Sequence, residues 1–97
     1  MVKIGNYNYE KSTRKDKKLM VRIEKDGKEK LIHFGDSSSE HYYDKTRIWK
    51  ELDHNNKDRR QNYLLRSAGI KNKEGNLTKD DEFSPNWHSR RILWSSK

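Results

Sequence analysis

Two residues, Asp26-Gly27, constrain this chain more than any other feature. They separate two runs of alternating apolar and charged residues within positions 18–35, KLMVRIEKDGKEKLIHFG. An Asp-Gly pair in that setting is the strongest short-range hairpin signal. A type I′ turn needs positive φ at both central positions, which glycine adopts without steric cost. Placing Lys25 opposite Lys28 sets the register: Ile23 faces Lys30, Val21 faces Ile32 and Leu19 faces Phe34. Leu19, Val21, Ile23, Ile32 and Phe34 then share one face, and Met20, Arg22, Leu31 and His33 the other. One clean and one mixed face predict a half-buried antiparallel sheet. Two strands alone are marginal in water. The hairpin therefore needs a third strand, for which Val2 to Tyr9 is the candidate, or a covering helix. Residues 1–17, with the charged piece KSTRKDKK at their end, read alternatively as a flexible basic arm.

Beyond Gly35 the pattern changes. Asp36 and three serines end the strand and offer caps. From Asp44, a fair N-cap, Ile48, Trp49 and Leu52 have helical spacing. Tyr42 and Tyr43 are placed to pack that first helix on the hairpin. Asn56 or Asp58 starts a second helix, KDRRQNYLLRSAG, with Gly69 at its C-terminal end. In it Tyr63, Leu64 and Leu65 turn inward, while Arg59, Arg60 and Arg66 line another face. Residues 71–82 form a polar loop. Ser84-Pro85 opens a third helix, with serine as cap and proline at the first position. Trp87 and Trp94, seven apart, fall on one face of it. The expected fold is α+β: a small antiparallel hairpin or three-stranded sheet with two or three short helices packed on one face, in a single small domain over 1–97. The expected core is Leu19, Val21, Ile23, Ile32, Phe34, Ile48, Trp49, Leu52, Tyr63, Leu64, Trp87 and Trp94.

The core is thin. Only 29% of the 97 residues are hydrophobic and 39% are charged, against an apolar share of about half in ordinary domains. Three tryptophans, five tyrosines and two phenylalanines must supply much of the buried surface and argue against disorder. The net charge is +8, which calls for an acidic partner: nucleic acid, an anionic membrane or an acidic protein face. No apolar run approaches the roughly 20 residues that span a bilayer. The opening residues, MVKIGNYNYE, hold no signal-peptide run. The absence of cysteine excludes disulfides and thiolate metal sites and fits a reducing compartment.

The partner-binding candidates are Lys57, Arg59, Arg60 and Arg66, with Tyr63 among them, and Arg90 and Arg91 between Trp87 and Trp94. Guanidinium forks match phosphate oxygens, and aromatic rings stack on bases. The bland alternative assigns the rings to the core and the cations to a solvated face. Catalytic chemistry has weaker support. His33, His41, His54 and His88 include no pair at a zinc spacing, and no run resembles a phosphate-binding glycine loop. Asp53-His54, followed by Asn55, is loosely similar to a ββα-metal nuclease, but the hairpin lies too far upstream, with another helix between. No catalytic residue, metal or cofactor is expected.

Three stretches, IHFGDSSSEHYYD, LDHNNKDRRQNYLLRSAGI and FSPNWHSRRILW, together resemble a family of small proteins from tailed phages and large eukaryotic DNA viruses. The matching positions are Ile32, His33, Phe34, Gly35, Tyr43, His54, Lys57, Asp58, Arg60, Tyr63, Arg66, Ser89, Leu93 and Trp94. Two departures stand out: Ser67 occupies the place of a usual histidine, and a charged segment, Lys45 to Lys50, precedes His54. The resemblance implies a viral origin and a place in or near the virion, inside the host cell or particle, and supplies no reaction. The function expected is that of a non-enzymatic, virion-associated accessory or minor structural component touching nucleic acid or an acidic capsid surface. The alternatives are a free nucleic-acid-binding protein and, more distantly, a small metal-dependent nuclease.

Overall fold

A computed structural model describes residues 1–95. Four antiparallel strands form one sheet in the order of the chain: β1 (Val2–Ile4), β2 (Tyr7–Lys11), β3 (Lys17–Lys25) and β4 (Lys28–Asp36). Two helices follow, α1 (Lys57–Ala68) and α2 (Pro85–Ile92), with single 3-10 turns at Lys50–Leu52 and Thr78–Asp80. The α+β class is as expected. The central hairpin has the expected register, from Lys25 opposite Lys28 to Leu19 opposite Phe34. Asp26 and Gly27 have φ of 53° and 80°, the two left-handed values that a type I′ turn requires.

The opening segment differs from both readings of it. It is neither one third strand nor an arm over residues 2–11. The chain reverses at Gly5, φ 62°, so that Ile4 pairs with Tyr7 and Val2 with Tyr9. Tyr9 in turn pairs with Val21. Its ring is buried beside Phe34, edge-on at 5.8 Å.

The helix expected from Asp44 is a loop, and the reason is side-chain competition for backbone groups. The buried Asp44 carboxylate accepts from Thr46 N at 2.8 Å, Thr46 Oγ1 at 2.6 Å and Trp49 N at 2.7 Å. Asp53 Oδ1 accepts from Asp44 N at 2.8 Å, and Arg47 takes φ of 63°. The loop, rather than a helix, is tied by its backbone to the end of α2, where Tyr43 N donates to Leu93 O at 3.0 Å, while the buried Tyr42 ring meets His54 and Arg60.

Both later helices start where expected. Asn56 Oδ1 accepts from the backbone N–H of Asp58 and Arg59, and Ser84 Oγ accepts from Asn86 N ahead of Pro85. Helix α1 buries only Ser67. Tyr63 and Leu64 are half-buried, whereas Leu65, expected inside, is 67% exposed. Helix α2 ends at Ile92, so Trp94 lies beyond it and shares no helical face with Trp87. Ile92 and Leu93 take the central places expected of the tryptophans. The core is Tyr9, Leu19, Val21, Ile23, Ile32, Phe34, Ile92 and Leu93, with Ile48, Trp49 and Trp94 packed on its rim.

Candidate cationic site on the helix layer

The helices meet over a ring stack. Tyr63 of α1 lies on Trp94 with centroids 4.1 Å apart and planes 9° from parallel, and its hydroxyl pairs with Ser89 Oγ at 2.9 Å. Trp94 lines two grooves. One is a cleft of about 470 Å³ between the β3–β4 end, α1 and α2, with Lys17, Lys18, Asp36, Glu40, Arg59 and Arg66 in its walls. The other, about 350 Å³, holds Arg60, Lys79, Asp80, Arg90 and Arg91. Helical spacing explains the division: 59, 63 and 66 lie on one stripe of α1, and 60 and 64 on the next.

The six expected binding residues are thus split, and they differ in availability. Arg59 pairs with Glu40 at 2.9 Å, both exposed. Arg66 extends over the Tyr63 ring, 5.9 Å from its centroid. Arg91 lies 4.0 Å over Trp87. Lys57 is exposed at the start of α1 and lines neither groove. Arg60 and Arg90 serve the fold. Arg60 Nε donates to Trp94 O at 2.9 Å. Arg90 Nη1 donates to Leu64 O at 2.7 Å and Ser67 Oγ at 2.6 Å.

Charge is segregated between the two sides of the molecule. Leaving aside the buried Lys18, the two grooves carry Lys17, Lys79 and five arginines against Asp36, Glu40 and Asp80. The sheet face turned away from the helices carries Lys3 and Arg22 against Glu10, Glu24 and Glu29. The positive surplus therefore sits on the helix side.

The histidines are tied into the structure. His88 is fully buried: Nδ1 pairs with the Tyr9 hydroxyl at 2.8 Å and Nε2 with Glu82 O at 2.7 Å. Burial pushes its imidazole down to about 4. His41, also fully buried, holds Asp53 Oδ1 at 2.7 Å, while Arg47 holds Oδ2 at 2.6 Å. Burial, reinforced by the Lys18 charge, keeps His41 below its ordinary value, with Asp53 pulling the other way. Burial alone would raise the Asp53 carboxyl, but its hydrogen bonds from Asp44, Arg47 and His41 outweigh that and hold it low. His54 accepts from Asn56 N at 2.9 Å and leans on Trp94, centroids 5.3 Å apart. His33 meets Ser12 Oγ at 2.7 Å. Among the described residues, no three His, Asp or Glu side chains are grouped to hold a metal ion, and no helix is long and apolar enough to cross a membrane.

Lys18 is the residue that sequence reasoning missed. Strand alternation assigns it to the open face with Met20, yet it is 2% exposed and lies at the cleft. Gly35, opposite it at φ 78°, makes room. A Cβ there would stand 3.3 Å from Lys18 Cβ and Cδ and 2.8 Å from Leu93 Cδ1. Burial lowers the Lys18 ammonium to about 8, against the opposing pull of Asp36, Asp44, Asp53 and Glu40. The available signal was the glycine ending the strand at Phe34-Gly35, which marks a close approach. A larger groove, about 870 Å³, runs beside Lys28, Glu29 and Lys30 to the 72–77 loop, but its lining mixes lysines and carboxylates and includes no buried ionisable side chain. No family model, no curated protein and no solved structure matches this chain.

Proposed function

We infer that this is a non-enzymatic basic protein that binds nucleic acid through its helix layer, as an accessory component of a viral particle. The segregation of charge carries the reading: a cationic layer of two grooves around a ring stack, opposite a sheet face with more carboxylates than cations. Phosphate backbones bind such surfaces without regard to sequence, and release counterions in doing so. The exposed arginines at 59, 66 and 91 provide guanidinium forks, and their hold on other groups is slight: one surface ion pair, two ring contacts and two long hydrogen bonds from Arg91 Nη1 to the Trp87 and Lys79 carbonyls, at 3.3 and 3.4 Å. Exposed pairs are worth little, so phosphate readily displaces them. The viral setting rests on the resemblance of the IHFG, HNNKDRRQNYLLR and SRRILW stretches to small phage and virus proteins. A non-enzymatic role is favoured by the histidines, of which His41 and His88 are fully buried and His33 and His54 hydrogen-bonded.

The test is duplex DNA and RNA binding as a function of salt. Three engaged phosphates, one for each exposed arginine, predict a slope of log K against log salt of about −2 to −3. Absence of binding at about 50 mM salt would overturn the nucleic-acid reading and leave an acidic capsid surface as the partner to seek.

A further inference from the structure

Lys18 is a desolvated cation that the fold bonds to nothing. Its stem is buried, while its ammonium, which makes no hydrogen bond or ion pair with a described residue, reaches solvent at the cleft. A buried, unpaired charge is expensive, and chains normally neutralise or pair it. The carboxylates at the cleft are already engaged. Asp36 accepts from Ser38 N at 2.9 Å, Ser38 Oγ at 2.8 Å and Ser39 Oγ at 3.2 Å. Glu40 is held by Arg59 at 2.9 Å. The fold nonetheless seats the lysine against a left-handed glycine, where an added Cβ would clash with Leu93 Cδ1 at 2.8 Å and press on the lysine stem at 3.3 Å.

The cleft beside it has the size of a small-ligand site, with Lys17 and Arg66 also in its walls and the Tyr63–Trp94 stack beside them. A compact, strongly hydrated ammonium at the base and a guanidinium at the edge are complementary to a phosphate, which accepts hydrogen bonds from both at once. Arg66 now extends over the Tyr63 ring, and when it turns to the phosphate it opens that ring face to a base.

We propose that the cleft between the β3–β4 end, α1 and α2 binds a phosphate monoester, that of a nucleotide or of a nucleic-acid strand end, with Lys18 as its buried anchor. The strand-end form rests on the nucleic-acid reading above; the phosphate site itself does not. Binding adds a directly bonded counter-charge to the more distant carboxylates Asp36, Asp44, Asp53 and Glu40, so the lysine becomes harder to deprotonate. The other charged groups around it are Asp36, Glu40, His41, Asp44 and Asp53 from the strand end and its loop, and Arg59 and Arg66 from α1.

The experiment has two arms. In the first, the Lys18 side-chain resonances of the intact protein are followed by NMR while inorganic phosphate, then a deoxynucleoside monophosphate, is added. The expected result is a saturable change, with the Lys18 pKa rising by about one to three pH units when an anion sits beside it. In the second, strands with a 5′-phosphate and with a 5′-hydroxyl are compared. The wild type should favour the phosphorylated strand about tenfold or more, and Lys18→Met should abolish that preference while leaving the melting temperature equal or higher. A Lys18 signal indifferent to phosphate, together with equal binding of the two strands, overturns the site even if nucleic acid binds well elsewhere. A Lys18 response to phosphate in a protein that ignores nucleic acid supports the site and removes the strand-end form.

Discussion

Lowering the pH from 7.5 to 4 should strip this protein of stability through His88, and the size of the loss follows from its surroundings. The ring is fully buried and its two nitrogens are committed to opposite roles. Nε2–H donates to the Glu82 carbonyl, and Nδ1 accepts the Tyr9 O–H. A second proton must go on Nδ1, where it meets a hydroxyl already donating, in a site closed to water. Burial accordingly holds the imidazole at about 4 against an ordinary 6.5. The folded-state value is depressed, so the unfolded chain takes up the proton first. Stability is whole above about pH 6.5, falls through the window from 6.5 to 4, and has no more to lose from this residue below it. The slope in that window approaches 1.4 kcal/mol per pH unit, and the total is about 3 kcal/mol, a large share of what a small domain possesses. Urea unfolding followed at half-unit intervals of pH measures it. His41 and His54 are depressed in the same direction, so His88→Gln is the needed control, and it should remove the largest portion of the slope. Direct titration of the His88 ring by NMR gives the decisive reading. A ring that protonates near 6.5 in the folded protein refutes the argument, because it would mean that the acid form is as well accommodated as the neutral one.

Gly35→Ala should destabilise by about 2 to 5 kcal/mol, combining a left-handed φ of 78° with a Cβ 2.8 Å from Leu93 Cδ1; an urea midpoint within error of wild type would show that the strand end relaxes freely. Arg59→Glu with Arg66→Glu should leave the melting temperature nearly unchanged while weakening DNA binding at least tenfold at low salt. Arg90→Ala should behave in the opposite way, costing about 1 to 3 kcal/mol of stability because the Leu64 carbonyl loses its side-chain donor and a partly buried contact is opened; equal melting temperatures for the two kinds of variant would contradict the division between surface and structural arginines.

The central hairpin was legible because strand period, turn chemistry and register are all local. Asp26-Gly27 and five alternating apolar residues determine them together. The caps at Asn56 and Ser84 were legible for the same reason. What escaped depends on distant groups. Asp44 has the chemistry of a helix cap, but its carboxylate serves a loop whose other supports, Asp53 and the carbonyls of Ile92 and Leu93, come from elsewhere in the chain. Arg60 and Arg90 count as surface charge in a composition and as carbonyl donors in the fold. The cationic character of α1 was readable from its letters. The buried Lys18 was not, because alternation assigns it to the wrong side and only the contact through Gly35 reveals the exception.

Helix α1 is moored rather than rooted. It contributes one buried residue, Ser67, and is held by the Tyr63–Trp94 rings, by Arg90 on the Leu64 carbonyl and by Asn86 on the Ser67 carbonyl. Water can replace such tethers one at a time, whereas the interlocked apolar rows of β3 and β4 must part together. The segment that carries Lys57, Arg59, Arg60 and Arg66 is therefore the least anchored layer of the molecule. Local opening is expected to begin there, with amide hydrogen exchange in α1 outpacing that of β3 and β4.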